Sequence, residues 1–213
     1  PQVLVAGKVL PWRSSVVYLG SRISEDGKTI AAVKHRICCA ESVVKRLNDR
    51  VFCRRTVSDR LKGHFIDTAV FASLLYGLEH CAFSVRDQRC LDGFFLRLSK
   101  RVMHLRYDYH LSYLEAEERL GVSRPSHRLA SERLRWTGHM LRSNDDVLYE
   151  VLMFTPEGGA RGRGRPRLRY YDTIKADLGG SNINLNARNQ EECWSALATK
   201  TGDRQDWQNS VVN

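Results

Sequence analysis

Residues 30–47, Ile30-Ala31-Ala32-Val33-Lys34-His35-Arg36-Ile37-Cys38-Cys39-Ala40-Glu41-Ser42-Val43-Val44-Lys45-Arg46-Leu47, decide the fold class. Ile30, Val33, Ile37, Ala40, Val44 and Leu47 step by 3, 4, 3, 4, 3, the seam of a helix packed on a partner helix. Partners follow in the chain. Ser58 can cap a second helix through Leu61, Phe65, Ala69, Ala72 and Tyr76, ended by Gly77. Ser84 with Asp87 opens a third, carrying Leu91, Phe94, Leu98, Val102 and Leu105, and Ser112 with Glu115 reads as a capping box for a short fourth ending at Gly121. Upstream the period shortens to that of strand. Gln2–Val5 and Lys8–Leu10 flank Ala6-Gly7, Ser15–Ile23 follows Pro11-Trp12, and Ser24-Glu25-Asp26-Gly27 makes a turn.

A fifth helix, about Pro125–Ser143, divides on a wheel of about 100° per residue. Leu129, Leu134, Trp136, Met140 and Leu141 share one half, and Arg128, Arg135, His139 and Arg142 cluster opposite. Such a stripe is either a solvated face or a phosphate contact; Glu132 is the one acid among the six arginines from Arg119 to Arg142. Residues 155–169 then run Thr-Pro-Glu-Gly-Gly-Ala-Arg-Gly-Arg-Gly-Arg-Pro-Arg-Leu-Arg, which suits neither a helix nor a strand interior and reads as an extended linker. Beyond it, Tyr171, Ile174 and Leu178 mark a short helix stopped by Gly179-Gly180. Trp194, Leu197 and Ala198 mark another, and Asp203 can cap a last one bearing Trp207 and Val211. The expected architecture is mainly α: a β-hairpin (1–24), an all-α helical bundle (25–154), a basic Gly/Arg/Pro linker (155–169) and a small helical tail (170–213).

The chain has 213 residues and a formal charge of +10, with 42% apolar and 27% charged residues, the balance of a folded chain rather than a disordered one. Of its 34 basic residues, 26 are Arg and 8 are Lys. Arg carries a planar fork of donors that matches phosphate, so the bias points toward nucleic acid. Residues 170–213 are net −2, so the positive field belongs to residues 1–169, net +12. No apolar run approaches the roughly 18 residues of a membrane span, and no secretory signal is visible. A chain starting Pro1-Gln2-Val3-Leu4, without an initiator Met, is expected to be a piece of something longer, working inside the cell in cytoplasm or nucleus. Cys38, Cys39, Cys53, Cys81, Cys90 and Cys193 lack metal-finger spacing; His80, Cys81 and Cys90 are the one conceivable zinc set, and buried free thiols are the favoured reading.

No glycine-rich phosphate loop, nucleophile elbow or helical His pair is present, so the chain is read as having no catalytic residues and no metal ligands of its own. Asn144-Asp145-Asp146 has the look of a polymerase metal pair, but Arg142-Ser143 before it and a helical pattern over Val147–Phe154 after it favour a helix cap. The sharpest motif is the arginine loop, with Arg161, Arg163, Arg165, Arg167 and Arg169. Gly164-Arg165-Pro166 resembles the core of an AT-hook, which lies in the narrow minor groove of A·T-rich DNA. Untargeted phosphate binding is favoured over that reading.

A wider pattern joins these pieces. Val17-Tyr18-Leu19-Gly20-Ser21-Arg22-Ile23, Asp26-Gly27, Arg36-Ile37, Lys62 and Leu74-Leu75-Tyr76-Gly77-Leu78-Glu79 come first. Arg135-Trp136-Thr137-Gly138-His139 with Arg142, then Arg163-Gly164-Arg165-Pro166-Arg167 with Asp172, Ile174 and Asp177, and finally Asp203-Arg204 with Trp207, complete it. In order and content this resembles the region after the palm in reverse transcriptases of non-LTR (LINE-type) retrotransposons, over about residues 16–208. His80-Cys81 and Tyr171 stand where that family commonly has Trp. The resemblance implies a thumb and C-terminal tail, in which Tyr18, Leu19 and Gly20 grip the primer's 3′ end. Lys34, Arg36, Lys45 and Arg46 would face the template–primer duplex. Arg128, Arg135, His139 and Arg142 with the arginine loop would be further nucleic-acid contacts. The implied partners are nucleic acid (RNA–DNA hybrid, duplex DNA or the element's RNA) and the upstream palm and fingers, with no membrane. Mg²⁺ would be a cofactor of the parent polymerase, with none held on this chain. Two other readings stay open: a DNA-binding protein working through the arginine loop, and a domesticated or structural remnant whose bundle binds proteins.

Overall fold

The structure, a computed structural model, describes residues 4–5, 7–9, 11–106, 108–143, 147, 150, 168–179 and 190–211. The chain is mainly helical behind a short antiparallel β entry. β1 (Leu4–Val5) pairs with β2 (Lys8–Val9), and β3 (Ser15–Tyr18) pairs with β4 (Ser21–Ser24), with Val16 opposite Ile23 and Tyr18 opposite Ser21. Ser15–Ile23 is therefore not one strand but a hairpin. Leu19 (φ 45°) and Gly20 (φ 81°) are both left-handed, which is the two-residue turn that matches strand twist. An alternating pattern does not reveal a turn whose first residue is a strained Leu.

The helices follow as α1 (Ile30–Leu47), α2 (Asp59–Phe65), α3 (Phe71–Leu75), α4 (Val85–Val102), α5 (Tyr113–Leu120), α6 (Pro125–Arg142), α7 (Tyr170–Gly179), α8 (Gln190–Thr201) and α9 (Arg204–Val211). The caps are those the sequence offers. Ser84 and Asp87 form a reciprocal capping box, and the Asp203 carboxylate accepts from the backbone N–H groups of Gln205 and Asp206. Ser112 makes only half of its box. It accepts from Glu115 N, while the Glu115 carboxylate is taken by the Tyr109 hydroxyl at 2.7 Å and by Arg119. Gly121 ends α5 in the left-handed conformation, φ 67°.

The first core joins α1 through α5 and the start of α6, with Val33, Ala40, Val44, Ile66, Leu74, Leu91, Phe95 and Leu129 buried in it. The expected stripe of the second helix is corrected here. Leu61 and Tyr76 are 49% and 57% exposed, whereas Lys62, Ile66, Val70 and Leu74 are buried. Those four recur every four residues, wider than an α-helix turn. The π-helical stretch Ile66–Val70 between α2 and α3 unwinds the coil enough to align them. Lys62 sits in the core because its ammonium donates to the Val102 carbonyl at the end of α4, at 2.7 Å.

The second core is built by the tail against the far half of α6: Leu134, Ile174, Leu178, Cys193, Trp194, Leu197, Trp207 and Val211. Ala198 in the tail is exposed. Of the six free thiols only Cys193 is buried, and Cys38 and Cys53 are exposed, so the expectation of buried cysteines holds for one. Cys38 lies on the solvent side of α1, beside Lys34 and Glu41 on the wheel. No helix among the described residues is long and apolar enough to cross a membrane.

Candidate nucleic-acid interface

Of the sixteen residues singled out as contacts, the twelve that the structure describes do not gather at one place. Tyr18, Leu19 and Gly20 lie at the tip of the β3–β4 hairpin, with Tyr18 and Leu19 63% and 75% exposed. Val16, Val17 and Ile23 are exposed as well, so the hairpin presents apolar side chains on both faces. Its attachment is a correction. Arg36 is buried; its guanidinium donates to the Gly20 carbonyl and stacks on Tyr76, 4.5 Å from the ring centre. On a helical wheel Arg36 falls about 180° from Lys45, so one face of α1 does not hold both. Lys34, Lys45 and Arg46 are exposed as expected.

Half of the α6 stripe is taken up by partners within the chain. Arg128 pairs with Asp67 at 2.7 Å and Glu132 at 3.0 Å, and Arg142 donates to the Thr201 carbonyl at 3.0 Å. Only Arg135 and His139 of the four face solvent. Nearby, Arg124 binds Glu117 and Arg119 binds Asp59. Burial alone would raise the Glu117 carboxyl, yet the hydrogen bonds and charge of Arg124, with His127 beside it, hold it below its ordinary value. Trp136 is half-buried rather than buried, packed edge-on against His80 and Tyr170. Arg161, Arg163, Arg165 and Arg167, like Asn144-Asp145-Asp146, lie outside the described residues; Arg169 is half-buried at the start of α7.

What the fold assembles instead is a groove between α1 and α4. Thr29 hydrogen-bonds Asp87 at 2.8 Å at one end, and Arg101 donates to Asn48 at the other, so the two helices run parallel. Between their C-terminal halves lies a groove of about 320 Å³, lined by Lys45, Arg97 and Arg101 over a floor of Val44, Phe94 and Leu98. Glu41 is the one acid in its lining. None of the three basic groups forms an ion pair among the described residues. Arg97 and Arg101 were not among the expected contacts. Their signal is the run Arg97-Leu98-Ser99-Lys100-Arg101 on a helix whose acids, Asp87 and Asp92, both lie upstream.

Chemically the groove offers fixed positive charge and guanidinium forks, with no nucleophile and no acid–base pair. No group of three or more His, Cys, Asp or Glu able to hold a metal ion occurs among the described residues. No protein-family model, curated protein or solved structure matches the chain.

Proposed function

We propose that the chain is the nucleic-acid-binding thumb and C-terminal segment of a LINE-type reverse transcriptase, which positions the template–primer duplex for a catalytic palm outside these residues. The observation that carries this reading is the groove between α1 and α4, where Lys45, Arg97 and Arg101 converge without carboxylate partners. Unneutralised arginine beside an apolar floor attracts phosphate and reads shape rather than base sequence. The order of motifs from Tyr18 to Trp207 supports the choice of family, and the apolar hairpin, exposed on both faces, fits an element that packs on the palm. Catalysis would gain from this chain only position, keeping the primer terminus in register. Metal ions for phosphoryl transfer would be held by the palm, and the parent enzyme would act in cytoplasm or nucleus.

The test is binding of the chain to an RNA–DNA hybrid, an A·T-rich DNA duplex and a G·C-rich duplex across a salt series. The reading expects salt-dependent binding that favours the hybrid. Preference for A·T-rich duplex would transfer the function to the arginine loop, and binding to none of the three would refute the proposal.

A further inference from the structure

We infer that the outer face of α4 is a phosphodiester-binding ridge that follows one strand of a duplex past the groove, an inference that rests on the nucleic-acid reading above. At about 100° per residue, Arg86, Arg89, Gly93, Arg97, Lys100 and Arg101 fall in one arc of about 120°. The buried residues Leu91, Phe95 and Val102 lie opposite. Arg86, Arg89, Arg97 and Arg101 are exposed and Lys100 is half-buried. Both acids of α4 point away and are occupied: Asp87 takes Ser84 and Thr29, and Asp92 takes Ser126. The arginines of α5 and α6 are mostly bound to carboxylates, whereas this arc has none.

Gly93 stands in the middle of the arc. A Cβ there would meet only the Arg97 guanidinium, at an ordinary 3.4 Å, so packing does not demand glycine. Glycine in a helix interior is unfavourable against alanine, and its use is close approach of another backbone. From Arg86 to Arg101 the ridge rises about 22 Å, on the order of six nucleotide steps along one strand. Its arc holds no aromatic side chain for stacking an unpaired base, so the ligand is the backbone of a duplex, not a splayed single strand.

The experiment uses the full chain with a labelled mixed-sequence DNA duplex and the matching RNA–DNA hybrid. Changing Arg86 and Arg89, which lie beyond the groove, together to Gln should flatten the log–log salt slope on duplex DNA by about 1.8, whereas changing both to Lys should keep it. Gly93→Ala should weaken binding several-fold while the thermal midpoint stays level or rises. An unchanged slope in the Gln variant, with the unaltered chain still salt-dependent, overturns the ridge and leaves the nucleic-acid reading standing. Absence of salt-dependent binding by the unaltered chain overturns both.

Discussion

Arg133 on α6 and Asp177 on α7 form a two-pronged ion pair, 2.7 and 2.8 Å, with side chains 1% and 5% exposed. The pair joins the helical bundle to its tail. Phe83 lies under the Arg133 guanidinium, 5.4 Å from ring centre to charge. At the start of α7 the Tyr170 hydroxyl donates to the Glu79 carbonyl, and burial pushes that hydroxyl above its ordinary range. Asp177, matched above to a motif of the reverse-transcriptase tail, thus has a structural partner.

Removing one member of this pair leaves a buried charge alone. Asp177→Ala should cost about 3–5 kcal/mol, whereas the double change Arg133→Met with Asp177→Leu should cost much less. Urea unfolding of the three chains checks this; equal losses for the single and double variants would count against a desolvated pair.

Gly138 should be intolerant of the residue that helices usually prefer. A Cβ there would run into the Trp207 indole, whose N–H donates to the Leu134 carbonyl at 3.1 Å. Gly138→Ala is expected to destabilise by about 1–3 kcal/mol through overpacking, against the propensity gain. Trp207→Ala should cost about 3–5 kcal/mol, more than Trp136→Ala, because Trp136 is only half-buried. Thermal unfolding of each variant measures the order.

Acid should weaken the junction at the end of α4. His104 is largely exposed, but desolvation of its ring, then the Lys62 ammonium 3.3 Å away, then Arg55, lower its pKa below the ordinary 6.5. A lowered base binds fewer protons folded than unfolded, so this contribution is complete above about pH 6.5 and is lost as pH falls toward the folded value. His104→Asn keeps a residue suited to the left-handed backbone there, φ 53°, and should remove that slope. Stability measured from pH 8 to 5 for both chains is the check.

Arg36 should matter to the hairpin and not directly to ligand. Arg36→Met removes the hydrogen bond to Gly20 and the stack on Tyr76, a loss of about 1.5–3 kcal/mol for a charged hydrogen bond. Amide exchange over residues 15–24 should quicken, while the salt slope of nucleic-acid binding stays as before. A reduced slope would return Arg36 to the ligand face.

The arginine loop gives a separate outcome. If it meets phosphate without regard to sequence, changing Arg163 and Arg165 to Lys should be nearly silent and changing both to Ala should lower the salt slope by about 1.8. Minor-groove insertion would instead make the Lys variant fail, since Lys lacks the flat guanidinium.

Local chemistry was legible in the sequence. The caps at Ser58, Ser84 with Asp87 and Asp203, and the left-handed stop at Gly121, involve atoms within a few residues of each other, so a short window holds the whole interaction. The helical class, the apolar seam through Val33, Ala40 and Val44, and the excess of positive charge were fixed at that level. Which positive charges remain free was not, because the neutralising carboxylate comes from a distant element. Arg128 meets Asp67 across 61 residues, Arg119 meets Asp59 across 60 and Arg133 meets Asp177 across 44. Arg36, expected to face the duplex, and Lys62, seen only as part of a motif, are each held inside by a backbone carbonyl from a distant element. A charge in isolation prefers water, and only the tertiary arrangement of partners reverses that preference. The same arrangement sent the acids to α5, α6 and the caps, and left Lys45, Arg97 and Arg101 facing one groove with their charge unspent.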